Sequence, residues 1–230
     1  MDTLTNKIMD ERVIIGLGHK GRHGKDTFGS FLHTAIPDSK IIHFADPLKD
    51  EVSQQTAQPL IFRRYYNGKI HYFFRDHVST YVIKSSDAVP FIHNIFEKRQ
   101  INEYGYMAEK DPEILQFWGT NFRRAQDPDY WVNKLIRIIL NSPEKYIIIP
   151  DVRFYNEYNY IKEKHGIYID VKRFNSDGTL YLDPNRDPNH QSEVELDDAE
   201  ADFVIKADSG DMDTLEQSVE LFMNKFNELF

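Results

Sequence analysis

The stretch GHKGRHGKDT, residues 18–27, combines glycines and a lysine in a spacing suited to holding a phosphate group. The strict phosphate-loop pattern has four residues between its two glycines and a hydroxyl residue directly after the lysine. Here five residues separate Gly18 from Gly24, and an aspartate stands between Lys25 and Thr27. The stretch is therefore a candidate phosphate-binding loop with two departures from the strict pattern.

Elements of the right kind flank this loop. The run VIIGLG at Val13–Gly18 predicts a buried strand, and apolar residues spaced along one helix face from Phe28 to Ile36 predict a helix. Backbone N–H groups at such a helix start favour anions, and Lys25 would reach the terminal phosphates of a nucleotide. We expect Gly21 to absorb the extra loop residue by adopting a positive φ. The alternative is an ordinary surface turn between strand and helix.

Short β-branched runs continue along the chain between helical patterns. They predict further strands over residues 40–44, 146–150, 167–171 and 202–206, and a last helix from about Asp213. Strands that alternate with helices form parallel sheets that are covered on both faces. The sequence therefore predicts an α/β protein with a five-stranded parallel sheet and helices on both faces.

Two segments interrupt this alternation. Residues 60–110 contain an apparent hairpin, IFRRYY-NG-KIHYFF, whose Asn67 and Gly68 suit a type I′ turn. Residues 174–195 are polar and rich in aspartate, asparagine and proline, which indicates a mobile excursion from the fold.

Composition limits the classes of function. The 230-residue chain is 40% hydrophobic, so it can bury a core, and it has no cysteine for disulfides or thiolate zinc sites. No apolar run approaches the ~18 residues of a membrane span, and the N-terminal stretch lacks the apolar core of a signal peptide. The net charge of −9 argues against binding along a nucleic-acid backbone. We expect a cytoplasmic protein without nucleic-acid or membrane partners.

Five short motifs are spread over most of the chain. They are GKDT in the loop, FADPLKD at Phe44–Asp50, LQFWGTNFRR with DYWVN between Leu115 and Asn133, DVRFYNE at Asp151–Glu157, and HQSEVELD at His190–Asp197. Together and in this order they resemble the bacteriophage deoxynucleoside monophosphate kinase family, in which GKDT is used instead of GK[ST]. The extra residue between the two glycines departs from that family's pattern.

The resemblance implies a P-loop kinase fold that transfers the γ-phosphoryl group of ATP to a deoxynucleoside monophosphate, with Mg²⁺. The products would be a deoxynucleoside diphosphate, for DNA precursor synthesis, and ADP. One domain over residues 1–230 is implied, with a core of about 12–50, 140–173 and 196–230, an acceptor-binding region at about 51–139 and a lid at about 174–195. A phage-encoded chain would act in the host-cell cytoplasm. The oligomeric state is open, and a homodimer is one candidate.

The resemblance also implies roles for individual residues. The residues expected to bind ATP are Gly18, Lys20, Gly21, Gly24, Lys25, Asp26, Thr27 and Arg173. The residues expected to bind the acceptor are Asp46, Lys49, Trp118, Arg123, Arg124, Asp151, Arg153, Glu157, His190, Ser192 and Glu193. Catalytic roles are expected for Lys25, Arg124, Arg153 and Arg186, and Mg²⁺ ligands are expected at Asp26, Thr27 and Asp151.

Arginines from several segments suit this reaction because it brings two polyanions together, and the planar guanidinium group binds phosphate bidentately. The acceptor is already an anionic phosphate, so no general base is needed. Arg153 follows a central strand, at the edge where α/β folds bind ligands, and we assign it to the acceptor phosphate with Arg123 or Arg124 as its helper. Arg173 and Arg186 bracket the polar excursion, and we assign them to a lid over ATP.

Alternatives remain for several residues and for the function. Asp151 and Asp46 could cap helices, and Trp118 could belong to the core instead of stacking on a base. The chain could be another small-molecule P-loop kinase, of the phosphomevalonate or dephospho-coenzyme A type, or a nucleotide-binding module without transfer activity. Nucleic-acid binding by the basic hairpin has little support. The sequence does not determine which base is accepted or how ribose is excluded.

Overall fold

The elements of the chain alternate between strands and helices. The computed structural model describes residues 12–56, 60–66, 69–74, 115–184 and 186–229. In chain order the elements are β1 (Val13–Gly18), α1 (Lys25–Ala35), β2 (Ser39–Ile41), α2 (Ala45–Thr56), β3 (Leu60–Tyr66), β4 (Lys69–Phe74), a π-helical segment (Phe117–Arg124), α3 (Tyr130–Leu140), β5 (Tyr146–Val152), α4 (Tyr155–Glu163), β6 (Ile167–Phe174), α5 (Gln191–Val194), β7 (Phe203–Asp208) and α6 (Met212–Leu229).

The chain divides into two compact units. The sheet unit consists of Met1–Asp46 and Asp129–Phe230, and the insertion unit consists of Pro47–Pro128. In the sheet unit, five strands lie in the order β2-β5-β1-β6-β7, and every neighbouring pair is parallel. The predicted α/β architecture with a five-stranded parallel sheet flanked by helices is therefore confirmed.

The strand order places β1 at the centre of the sheet, and β1 is buried along its whole length. After β1, the chain builds β2 and then β5 on one side of this strand, and β6 and β7 on the other. Connections that diverge in this way leave a crevice beyond the carboxyl ends of the strands, where open parallel sheets bind ligands. The residues that follow Gly18 lie at that point of the fold.

Helices cover the two faces of the sheet. Alternate residues of β1 point to opposite faces, and Ile15 and Leu17 join a core cluster that includes the apolar stripes of α1 and α6. Gly16 faces the other way, where a Cβ would lie 2.3 Å from Ile161 Cδ1 of α4. The buried residues of the α6 stripe are Leu215, Val219, Phe222 and Phe226, as its helical spacing predicts. Burial of each such side chain contributes about 1.5–3 kcal/mol to folding.

The second strand is shorter than the sequence predicts. We expected residues 40–44, whereas β2 ends at Ile41, although the N–H of Ile42 still donates to the Ile148 carbonyl at 2.9 Å. The carboxylate of Asp151 accepts hydrogen bonds from the N–H groups of Phe44 and Ala45. These two amides therefore begin α2 instead of extending the strand.

The insertion unit contains the predicted hairpin. Strands β3 and β4 pair antiparallel, and Tyr66 lies opposite Lys69. The predicted turn residues Asn67 and Gly68 lie outside the described residues. Among the described parts of the chain, no helix is both long and apolar enough to cross a bilayer.

Candidate functional site

The glycine loop, residues 18–25, leaves the sheet at the carboxyl end of its central strand. Gly24 directly precedes α1 with a φ of 87°, and Arg22 has a φ of 59°. The expectation of a positive φ at Gly21 is therefore wrong, since the positive φ values in this loop belong to Arg22 and Gly24. Gly21 serves a different purpose, since a Cβ there would lie 2.8 Å from Cδ and Nε of Arg186. The absence of a side chain lets the loop backbone approach this arginine.

Lys25 is folded back into the loop that precedes it. It is 5% exposed, and its ammonium group donates a hydrogen bond to the carbonyl of Lys20. Burial, together with the nearby charge of Arg153, lowers the pKa of Lys25 to about 7 against the opposing charges of three carboxylates. An anion bound beside Nζ would raise this pKa again. The loop therefore holds a lysine whose charged state is favoured by an anionic ligand.

One carboxylate links the loop to two of the arginines assigned to phosphate. Oε2 of Glu193 accepts from the N–H of Gly21 at 2.7 Å, and Oε1 accepts from Nη1 of Arg153 at 2.6 Å and Nη1 of Arg186 at 3.0 Å. Burial raises the pKa of Glu193, but Arg153, the Gly21 amide and Arg186 together hold it below its usual value. The glycine loop, Arg186 and residues of the DVRFYNE and HQSEVELD motifs thus meet at one point.

Acidic residues that the sequence analysis did not select hold the start of the loop. Nζ of Lys20 lies 2.5 Å from Oδ1 of Asp197 and donates to the Glu193 carbonyl at 2.7 Å. Nε2 of His19 lies 2.8 Å from the same Asp197 oxygen, and Nδ1 lies 3.7 Å from Oδ1 of Asp170. Asp197 closes the HQSEVELD motif, which was an available signal, whereas no pattern in the sequence distinguishes Asp170.

The 174–195 segment contacts the loop through a buried carboxylate. Asp183, whose side chain is 4% exposed, pairs with Nε of Arg22 at 3.0 Å and with Nε of Arg186 at 3.4 Å. A cleft lined by Gly21, Asp183, Arg186 and other residues opens at this contact. No sequence motif selected Asp183, because a single aspartate in a polar stretch carries no spacing signal.

Two further side chains connect the loop, β6 and the 174–195 segment. His23 is 3% exposed, and its Nδ1 and Nε2 lie 3.2 Å and 2.9 Å from the carbonyls of Val171 and Tyr181. The guanidinium carbon of Arg173 lies 4.1 Å from the centroid of the Tyr181 ring, and its Nη1 donates to the Arg22 carbonyl at 3.2 Å. Arg173 therefore contacts the Arg22 side of the loop, whereas Arg186 contacts Glu193.

Asp151 and Asp46 both contact the start of α2. The two carboxylate oxygens of Asp151 accept from the N–H groups of Phe44 at 2.9 Å and Ala45 at 2.8 Å. Asp46 Oδ2 lies 3.2 Å from Nδ1 of His43 and accepts from the N–H of the same histidine at 3.3 Å. Burial raises the pKa of Asp151, while His43 and the two amides oppose that rise. The capping alternative thus describes the contacts of Asp151, at α2 and not at the helix that follows β5.

Glu157, His190 and Ser192 stabilise the backbone around the arginine cluster. Glu157 is 1% exposed, and its Oε2 accepts from the N–H of Arg153 at 2.8 Å, which fixes the turn after β5. Nδ1 of His190 accepts from the N–H of Ser192 at 3.2 Å, at the start of α5. The Ser192 carbonyl in turn accepts from Nη1 of Arg153 at 3.3 Å. These contacts hold Arg153 and Glu193 at their meeting point.

Asp26 and Asp151 are oxygen donors of the kind that magnesium binds. Both raise the pKa of Lys25, and Nε2 of His43 lies 3.5 Å from Oδ1 of Asp26. Mg²⁺ commonly takes one or two carboxylates and completes its shell with substrate phosphates and water. The side chain of Asp26 is 81% exposed, so it is accessible to an ion. Within the described residues, no group of three or more histidine or acidic side chains has the arrangement of a metal site.

The insertion unit contains the remaining predicted acceptor residues. Trp118 is 5% exposed and donates through Nε1 to Oε1 of Glu51 at 3.0 Å, and Nε of Arg123 pairs with the same oxygen. Arg124 donates through Nη1 to the Pro128 carbonyl at 3.2 Å. Lys49 lies on α2 and is half-buried. The burial of Trp118 agrees with the alternative that it belongs to a core.

In the sheet unit, the structure brings the loop together with residues of two later motifs. The residues that meet there are Lys20, Gly21, Lys25, Arg153, Arg186, Ser192 and Glu193. In comparisons with known proteins, no family model matches this chain, and no curated protein matches it at a significant level.

Proposed function

We propose that the protein is an ATP-dependent deoxynucleoside monophosphate kinase with a P-loop kinase fold and a requirement for Mg²⁺. The observation that carries the proposal is that a loop amide, Gly21 N–H, and the guanidinium groups of Arg153 and Arg186 all donate to one carboxylate, Glu193. Both Arg153 and Glu193 act on the charge of the buried Lys25 ammonium. Four cationic or N–H donors at the carboxyl end of a central strand suit a reaction between two phosphate-bearing ligands.

The chemistry of phosphoryl transfer matches this set of side chains. Lys25 and the loop amides hold the terminal phosphates of ATP, and Arg153 holds the phosphate of the acceptor. An oxygen of the acceptor phosphate forms a bond to the γ-phosphorus while the bond from that phosphorus to the bridging oxygen of ADP breaks. The attacking oxygen is already anionic, so the protein supplies positioning and charge neutralisation and no general base.

Other residues of the site complete the arrangement. Arg186, carried by the 174–195 segment, neutralises charge on the phosphates as that segment closes. The residues that would hold Mg²⁺ are Asp26 and Asp151, with the Thr27 hydroxyl as a further oxygen donor. Bound Mg²⁺ supplies charge neutralisation on the phosphate oxygens. The assignment of a deoxynucleoside monophosphate as acceptor, and of the cytoplasm as the compartment, rests on the five sequence motifs.

The experiment that tests this function is an ADP-release assay with ATP and Mg²⁺. Each nucleoside and deoxynucleoside monophosphate is offered separately, with phosphomevalonate and dephospho-coenzyme A in the same panel. We expect ADP release with at least one deoxynucleoside monophosphate and a much lower rate with its ribose counterpart. Lys25→Ala, purified in parallel, controls for contaminating kinases. Release with phosphomevalonate or dephospho-coenzyme A alone would identify a different kinase, and no release with any acceptor would contradict transfer activity.

A further inference from the structure

The carboxylate of Glu193 lies where three donors point at one anion. The donors are the Gly21 N–H at 2.7 Å, Nη1 of Arg153 at 2.6 Å and Nη1 of Arg186 at 3.0 Å. They come from the glycine loop, from the turn after β5 and from the 174–195 segment. Guanidinium and amide donors arranged around one oxyanion form the same kind of contact with a carboxylate as with a phosphate.

The Glu193 carboxylate is nearly buried and lies close to the backbone of Gly21. Glu193 is 6% exposed, and a Cβ on Gly21 would lie 3.3 Å from its Oε2 and 2.8 Å from Arg186. The buried ammonium of Lys25 is close enough for the Glu193 charge to act on it. A cleft lined by Gly21, Arg186 and Glu193, with Asp183 among its other residues, opens beside the contact. The nearly buried Glu193 carboxylate therefore also lines a small cleft next to the loop.

The Gly21 amide and the two arginines cannot donate the same hydrogens to the Glu193 carboxylate and to a phosphate at once. A phosphate that accepts the Gly21 N–H must take it from Glu193, and two anions in one buried position repel each other. We propose that Glu193 is an internal anion that fills the phosphoryl position of this site, and that a phosphate-bearing ligand displaces it. The identity of that ligand as ATP rests on the proposed function, but the displacement itself does not.

The displacement has a mechanistic consequence. When the carboxylate leaves, Nη1 of Arg153 and Nη1 of Arg186 both lose their acidic partner at the moment a phosphate arrives. The guanidinium group of Arg186 is then available to the incoming phosphate, and that of Arg153 is available to the phosphate of a second ligand. Glu193 is part of the short helix α5, at the end of the 174–195 segment. Its displacement therefore gives ligand binding a direct connection to this segment.

The test uses Glu193→Gln in the full chain and inorganic pyrophosphate as the probe, with binding measured by titration calorimetry. Glutamine keeps the shape of the side chain but removes its charge. The substitution therefore removes the internal anion from the unliganded site, whereas in the complex the carboxylate has already left that position. We expect pyrophosphate to bind Glu193→Gln about tenfold more tightly or better. The control is Glu195→Gln, since that carboxylate contacts the Tyr155 N–H and the Gln191 side chain. Its pyrophosphate affinity should equal that of the unmodified chain.

Equal or weaker binding by a folded Glu193→Gln chain overturns the proposal, and so does a lack of pyrophosphate binding by both chains. If that variant does not fold, the test is the ¹³C NMR resonance of the Glu193 carboxyl group, measured in the unmodified chain. Displacement by pyrophosphate shifts this resonance, and an unchanged resonance overturns the proposal. Displacement without any kinase activity would leave this inference standing and contradict the proposed function. Kinase activity with an unmoved Glu193 would support the proposed function and contradict this inference.

Discussion

Lys25 is buried, which is rare for a lysine, and its ammonium group donates to a backbone carbonyl of the same loop. In the proposed kinase, this ammonium group neutralises the transferred phosphoryl group. We expect Lys25→Ala to lose more than tenfold in kcat, at least about 1.4 kcal/mol of transition-state stabilisation. Steady-state kinetics measures this, with circular dichroism to check folding and the exposed Lys206→Ala as control. A variant that keeps most of its kcat would show that the loop does not hold the reacting phosphates.

The lowered pKa of Lys25 makes a second, pH-dependent expectation possible. With a pKa of about 7 in the unliganded chain, the side chain is mostly neutral at pH ~8.5, whereas free lysine is charged there. Bound phosphate favours the charged form and raises the pKa, so ATP binding at this pH should take up nearly one proton. Calorimetry in two buffers of different ionisation enthalpy measures the uptake. Lys25→Met should abolish it, and equal uptake by both chains would contradict this assignment.

The backbone of Arg153 is held in place, whereas the Glu193 carboxylate that pairs with its guanidinium group can be displaced. Glu157 fixes its backbone N–H, and its guanidinium group contacts Glu193 and the Ser192 carbonyl. Loss of a bidentate contact to the acceptor phosphate should cost on the order of 3 kcal/mol, roughly a hundredfold in KM for the monophosphate. For Arg153→Ala we expect that rise, with a nearly unchanged Kd for ATP. Arg153→Lys should recover only part of it, because a point charge does not replace the planar group.

The measurement that separates donor from acceptor is a pair of titrations on Arg153→Ala. One follows ATP binding at equilibrium, and the other follows initial rate against monophosphate concentration. Weaker ATP binding with a constant monophosphate KM would assign Arg153 to the donor side of the site.

At the scale of elements, the 174–195 segment is held to the loop by a few specific contacts. Asp183 pairs with Arg22, and Tyr181 contacts His23 and Arg173. If the segment is a lid, its backbone amides should exchange faster without ligand and become protected when both substrates are bound. Hydrogen exchange with and without a bisubstrate analogue measures this, with α6 as an internal reference. Unchanged protection across residues 174–193 would count against a lid.

The elements of the sheet unit were predictable because their patterns are local. A buried run predicted β1, and helical spacing predicted the apolar faces of α1 and α6. The end of β2 was not predictable, since the carboxylate that captures the amides of Phe44 and Ala45 comes from Asp151, more than a hundred residues later. The sequence around β2 does not indicate a capping group that folding brings from another strand.

The site was predictable to a similar extent and for a similar reason. Motif order selected Lys25, Arg153 and Glu193, and the fold brings them together with the loop. What the sequence could not give is the partner of each side chain. Gly21 does not have the expected positive φ, and its contact with Arg186, from a distant segment, was not predictable. Asp183 was missed for lack of any spacing pattern around it.

For the whole molecule, both the net charge and the internal ion pairs of the site oppose binding of the proposed anionic ligand. The chain carries a net charge of −9, and three basic residues of the site are paired internally, Lys20 with Asp197 and both Arg153 and Arg186 with Glu193. A polyphosphate must therefore compete with these carboxylates before it gains its own contacts. Anion affinity in this protein should thus depend on the internal acids as strongly as on the basic residues.

Binding at this site should stabilise the sheet unit as a whole, because its donors come from the central strand loop, the turn after β5 and the segment before β7. A ligand that binds only the native state at a hundred times its Kd adds about 2.7 kcal/mol to the free energy of unfolding. For a chain of this size each kcal/mol raises Tm by about 2–4 °C, so the shift should be about 5–10 °C.

Thermal unfolding with a non-hydrolysable ATP analogue, with the monophosphate, and with both together tests this expectation. Displacement of Glu193 by the first ligand leaves Arg153 without its acidic partner, so the second ligand no longer has to compete for that arginine. The shift with both ligands should therefore exceed the sum of the two separate shifts, and Lys25→Ala should lose the shift with the ATP analogue. Strictly additive shifts would mean that the two phosphate positions are independent, which is incompatible with a shared carboxylate between them.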